Sequence, residues 1–380
     1  MKRLCLAGLL MVAASLAGCS TIKGWFSSSE TRSPAKLTDI KESAKIEVLW
    51  RYSVGNTSAD ALQPAVTKDA VYAANNKGEL YRLDRASGKE VWHVKSGFPV
   101  SGGVGAGEGL VLVSSDQGDV AAFDENGKQL WAVKVSSEVL SAPQVSNGVV
   151  VVRTGDGRIA GLRAANGTRQ WLFERSTPSL IVRSRAGVLI DGGTVYAGFA
   201  GGKLAAIRVT DGVVVWEAAV SQPRGNTELE RISDITSEPV VGNGIVCAVA
   251  FQGNTACFDI AQGNLMWSRE ISSDKGMTQA GRTIYLTDAD GDVSALDKST
   301  GSSLWKNESL TLRRVTAPGI AGAYAVVGDF EGYLHALSRD DGAFTARARL
   351  DSAIEVAPIS VDGTLYVQTV GGSVYAVSVH

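Results

Sequence analysis

From residue 46 onward, short apolar runs alternate with polar, glycine-centred breaks, and the same order of events returns about every 40 residues. One unit reads VYAANNKGELYRLDRASGKEVW from Val71, and equivalent units start at Val111, Val151, Val195, Val246, Ile284 and Tyr324. Each opens on a short run of alternating or continuous apolar residues, as a buried strand does. A turn follows at Gly78, Gly118, Gly157, Gly202, Gly253, Gly291, Gly332 or Gly372, where glycine supplies the positive φ of a tight hairpin. A second strand leads to Asp84, Asp124, Asp259 or Asp297, each able to bond its own backbone and open the next turn. That turn contains a second glycine, at 88, 127, 167, 212, 263, 301 and 342. Four residues later stands Trp92, Trp131, Trp171, Trp216, Trp267 or Trp305. An eighth unit, LYVQTVGGSVYAVSVH from Leu365, ends at the C-terminus without its Trp portion. The missing portion, KIEVLWRYSV around Trp50, stands at the other end of the chain.

Four strands in about 40 residues predict a β-propeller blade. The reading is all-β: an eight-bladed propeller of four-stranded blades over residues 46–380, its last blade closed by the N-terminal strand. Closure of that kind removes the open sheet edge. A β-helix or solenoid is the weaker alternative, because it needs no complementary half-repeats at the two ends. A tryptophan buries roughly 200 Å², so the regularly placed Trp residues are read as wedges between neighbouring units.

Ahead of the repeats, Lys2 and Arg3 precede an apolar run over residues 4–14, too short to span a bilayer. It ends in Leu16-Ala17-Gly18-Cys19, which resembles the lipobox of bacterial lipoproteins. The resemblance implies a signal peptide over residues 1–18, cleavage before Cys19 and lipidation of its thiol. Ser20, in place of an aspartate, points to the outer membrane. Residues 19–45 are rich in Ser, Thr and Lys with no sustained apolar period, and are expected to form a flexible, lipid-anchored tether. Trp25 and Phe26 stand out within it without a distinguishing signal.

Composition narrows the function. Among 380 residues there are 43 Gly but only 9 Pro, which suits many tight turns and not a disordered chain. The formal charge of −2 gives no electrostatic footprint for nucleic acid. Three histidines, His93, His335 and His380, argue against a His-rich metal site. The sequence 102–107, GGVGAG, lacks the Lys-Ser/Thr and helix of a phosphate-binding loop. The turn around Asp288, Asp290 and Asp292 lacks the twelfth-position Glu of a calcium loop, where Ser299 stands. Cys247 and Cys257 fall on two strands of one hairpin. A bond between them is possible in an oxidising compartment, but the expectation is two buried free thiols, since a one-residue register change separates their faces.

The signature Ala-x-Asp-x-x-[Ser/Thr]-Gly-x-x-x-Trp, clearest at Ala295–Trp305, resembles the repeat of pyrroloquinoline-quinone dehydrogenases. Those enzymes carry an adjacent cysteine pair and a Glu/Asn/Asp calcium site. Here no two cysteines adjoin, and no cofactor or metal is expected. The lipobox, tether and single propeller together resemble the BamB family of outer-membrane assembly lipoproteins. So do the segments PSLIVR from Pro178, ELERISDI from Glu228 and GDFEGYLH from Gly328. This resemblance implies a non-enzymatic scaffold on the periplasmic face of the outer membrane. It would bind the POTRA domains of BamA in the BAM complex, with nascent outer-membrane proteins as further contacts. The alternatives are a periplasmic quinone-dependent dehydrogenase or sensor, and a structural envelope lipoprotein with another partner.

Spacing independently marks two connectors. The intervals between successive Trp residues from Trp50 to Trp305 are 42, 39, 40, 45, 51 and 38. The two longest flank Trp216, and long connectors on a rigid scaffold are where binding concentrates. The family's binding residues map onto Leu180, Val182, Arg183 and Asp234. The family has a second acidic residue two positions after the first; here Thr236 stands there, with Glu238 and Glu230 as the acidic neighbours able to compensate. The competing reading makes Leu180 and Val182 buried positions of their blade's first strand.

Overall fold

The computed structural model describes residues 33–57 and 62–380, and all of its regular elements are strands. Cys19, Trp25 and the signal peptide lie outside the described residues. The strands form eight four-stranded antiparallel sheets. Seven are contiguous in sequence, over residues 65–95, 104–134, 144–173, 188–219, 240–269, 276–307 and 319–349, and are numbered here as blades 1 to 7. Blade 8 takes three strands from residues 359–379 and its outer strand, Ile46–Ser53, from the N-terminal end. Pairing runs from Ile46 opposite Val379 to Ser53 opposite Ser373, so the split eighth repeat closes the ring. First strands of neighbouring blades contact one another around the inside of that ring.

The tryptophans act as wedges through a specific lock. In all seven cases the indole Nε1–H donates to a backbone carbonyl of the following blade, from Trp50 to Arg85 at 2.9 Å round to Trp305 to Arg339 at 2.9 Å. The ring lies on the second glycine of that blade. A Cβ on Gly88 would approach the Trp50 ring to 2.4 Å, and one on Gly342 the Trp305 ring to 2.4 Å. These glycines also take positive φ, 68° and 73°. Beside each Trp the pairing of third and fourth strands slips by one residue, a bulge that re-aims the side chain. The repeat's aspartates cap their turns: Asp297 Oδ1 accepts from the Ser299 and Thr300 amides. At the first turn of blade 5 the expected geometry shifts, since Gln252 rather than Gly253 takes positive φ.

One seam has no such lock. Ala346 of blade 7 holds the register position of Trp305, opposite Ala336 as Trp305 is opposite Ala295. Here the chain ahead of the first strand fills in. Ser43 and Ala44 donate backbone N–H groups to Thr345 O, and Ala44 and Ile46 pack with Ala346, Tyr375 and Val377. Farther back, Arg313 donates to Ala35 O at 3.0 Å and Arg347 to Thr38 O at 2.8 Å. Residues 35–45, expected as the end of a flexible tether, are therefore laid along the propeller. Beneath them Arg313 pairs with buried Asp329 at 2.7 Å. His335 joins Asp329 at 3.0 Å, and its Nδ1 accepts from Arg347 Nε. Burial lowers the His335 pKa against the opposing pull of Asp329.

The cysteine expectation is also corrected. Cys247 and Cys257 sit directly opposite each other with Cα atoms 4.1 Å apart, and their sulfurs are bonded. That separation is characteristic of a non-hydrogen-bonded pair, whose side chains share one face. The register that would have parted the thiols is not the one adopted.

Candidate partner-binding site

The connectors from each blade to the next rest on the turns between second and third strands. Val139 N–H donates to Ser115 O, Gly155 N–H to Glu138 O and Phe251 N–H to Asp234 O. The two long connectors, residues 174–187 and 220–239, therefore share a face with the connector at residues 135–143.

Leu180 is 40% exposed and Ile181 is 36% exposed, and neither lies in a strand. The first strand of blade 4 starts only at Val188. The core-strand reading of Leu180 and Val182 is thus overturned: Leu180 faces solvent and Val182 is half-buried. Ile181 was not anticipated, because an alternating pattern assigns it to the opposite face from its neighbours.

Arg183 reaches back to the preceding connector. Its Nη2 lies 2.7 Å and its Nε 3.1 Å from Glu138 Oε2, while 65% of its side chain stays exposed. Such a fork fixes the guanidinium plane. Arg185 spans farther, donating to Ser101 O at 3.2 Å.

Asp234 requires a correction. It is only 4% exposed, and its carboxylate accepts from the Val182 amide at 2.8 Å and the Gly201 amide at 2.9 Å. It therefore positions the first connector from within, with little of its surface exposed. Thr236 is buried as well. Glu230 accepts from the Asn226 and Thr227 amides of its own loop, and Glu238 faces inward towards Gly187. Glu238 is thus turned away from the surface, whereas Glu230 stays exposed with its carboxylate tied to its own loop.

Beneath residues 180–183 lies a cavity of about 240 Å³, lined in part by Arg153, Arg175, Val182 and Phe199. A larger one of about 860 Å³ follows inner strands such as Gly276–Ala280 and is bordered by Arg185, Glu238 and Arg314. Burial pushes the Glu238 carboxyl up to about 7, against the pull of Arg153. Burial likewise lowers Arg153 to about 10, opposed by Asp234 and Glu238. The acidic turn at residues 288–292 is an ordinary hairpin, with the Lys306 ammonium 2.8 Å from Asp292 and 3.5 Å from Asp288.

Known proteins give the geometry a context. A protein described as outer membrane protein assembly factor BamB in Bordetella pertussis is 39% identical over 375 residues, 98% of this chain and 95% of that one. The crystal structure of BamB from Moraxella catarrhalis superposes with a TM-score of 0.81 at 28% identity, covering 88% of this chain and all of that one. A quinohemoprotein alcohol dehydrogenase of Pseudomonas putida shares the fold, with a TM-score of 0.70 at 15% identity over 88% of this chain and 76% of its own. The family model for outer membrane protein assembly factor BamB matches residues 41–97, 76–307 and 290–380. With nearly the whole propeller matched, the chain belongs to the BamB family.

Proposed function

We propose that the protein is a non-enzymatic scaffold of outer-membrane β-barrel assembly, held at the periplasmic face of the outer membrane by lipid on Cys19. It docks the POTRA domains of BamA through Leu180, Ile181, Val182 and Arg183, and so helps deliver nascent barrel proteins. The observation that carries this reading is the connector itself. Exposed apolar side chains stand next to an arginine fixed by Glu138, on a loop held from below by Asp234. Arginine is enriched in interface hot spots, and here its plane is held beside exposed apolar side chains. Membership of an assembly-factor family supplies the partner class.

Co-purification of BamA with the lipidated full chain from detergent-solubilised envelopes tests the reading. The parent should retain BamA, and Leu180→Ala combined with Arg183→Ala should lose it while keeping the parent's melting temperature. Retention of BamA by that folded double variant overturns the assignment.

A further inference from the structure

We propose that the cavity under residues 180–183 receives one acidic side chain of the docked polypeptide, with Arg153 as its counter-ion. The inference rests on the docking reading above and names the chemistry that completes it.

Three guanidinium groups border this cavity, and two are committed. Arg175 pairs with Glu217 at 2.7 Å, and Arg183 with Glu138 at 2.7 Å. Arg153 differs. It ends the strand Val149–Arg153, and its guanidinium lies 5.7 Å from the centre of the buried Phe199 ring. One hydrogen bond is formed, from Nη1 to Ala186 O at 3.1 Å, and among the described residues no carboxylate stands at ion-pair distance. A guanidinium has five N–H donors in a planar fork suited to a carboxylate, so most of its capacity is unspent.

The nearby acids form no ion pair with it. Asp234 turns its oxygens onto the Val182 and Gly201 amides. Glu238 is pushed up to about 7 by its own burial and is only partly ionised at neutral pH. Burial lowers the Arg153 pKa, and Asp234 and Glu238 offset that only in part. Phe199 also carries Arg175, at 5.9 Å, but that cation is already paired with Glu217. The docking connector forms one wall of the cavity, since Ile181, Val182 and Arg183 all line it. A chain lying on Leu180 and Ile181 therefore borders the cavity, and, as proposed, one of its Asp or Glu side chains enters beside that wall to meet Arg153.

The experiment is a double-mutant cycle between the lipidated full chain in detergent and purified BamA POTRA domains. Arg153→Gln is expected to weaken binding about tenfold, with Arg153→Lys intermediate because it keeps the charge without the fork. Asp→Asn and Glu→Gln variants of the POTRA domains should include one whose loss makes Arg153→Gln silent. Equal binding by parent and Arg153→Gln, or a weakening that no POTRA acid suppresses, overturns the inference. Because the cycle reads coupling, a general loosening from Arg153→Gln cannot mimic the result. Leu180→Ala and Arg183→Ala run alongside. If they weaken binding while Arg153→Gln does not, only this inference falls; if they also bind normally, the docking reading falls with it.

Discussion

Val182 and Asp234 stand 52 residues apart in sequence and are joined by a hydrogen bond of 2.8 Å from the amide of the first to the carboxylate of the second. The other carboxylate oxygen accepts from Gly201, in a turn of blade 4. One buried aspartate thus ties both long connectors to a rigid blade. The shape of the exposed Leu180–Ile181 surface depends on a residue that is itself almost wholly buried.

Asp234→Asn replaces one of these acceptors with an NH₂ group facing an amide donor. Losing a hydrogen bond to a charged group costs about 1.5–3 kcal/mol. Hydrogen exchange should show lost protection at the Val182 or Gly201 amide with the blade interiors unaffected, and POTRA binding should weaken. Unchanged exchange at both amides contradicts the positioning role.

Two glycines of blade 5 separate conformational strain from packing. Gly244 has φ of 75° with no atom within 4 Å of an added Cβ, whereas Gly263 has φ of 71° and a Cβ there would lie 2.6 Å from the Trp216 ring. Both Ala variants bear the strain of a left-handed backbone, but only Gly263→Ala also overpacks, at about 1–3 kcal/mol. Urea unfolding should place Gly263→Ala below Gly244→Ala by that margin. Equal stability would remove the Trp–Gly lock from the account.

The blades, their number and the split closure were legible because each repeat carries its own turn glycines and Trp, all local signals. The glycine at 88 and the Trp at 50 were both read, yet not as partners, since their contact joins different repeats. The Cys247–Cys257 bond turns on a single residue of register, which periodicity does not fix. Asp234 was read as a surface acid because sequence spacing carries no information on which amides a carboxylate meets. Residues 35–45 have tether composition, and what holds them is remote: Arg313 and Arg347 come from blade 7 and its approach. Arg153 gave no sequence signal, since its isolation is defined by the carboxylates that are elsewhere engaged.

Glu238 makes stability depend on pH. Its carboxyl ordinarily titrates at 4.5 and is pushed up to about 7 in the fold. Between those values the native state binds more protons than the unfolded state, so this group's contribution falls as pH rises through the window and levels off above it. Glu238→Gln removes the titration. Thermal melts should coincide near pH 4, and the variant should be the more stable at pH 8, by about 3 kcal/mol. A difference of the same size at both pH values contradicts the buried, proton-holding carboxyl.

The central claim is that the connector carrying Arg183 is the partner surface, and the most direct test is the affinity of purified POTRA domains for Arg183→Ala and Arg183→Glu full chains, each with a thermal melt. The Arg183–Glu138 pair is largely exposed, so breaking it costs at most about 1 kcal/mol of stability and both variants should fold. The account predicts near-parental melts with binding weakened by about 2 kcal/mol or more, most strongly for Arg183→Glu. Undiminished binding by both variants, with melts unchanged, would place the interface elsewhere on the propeller.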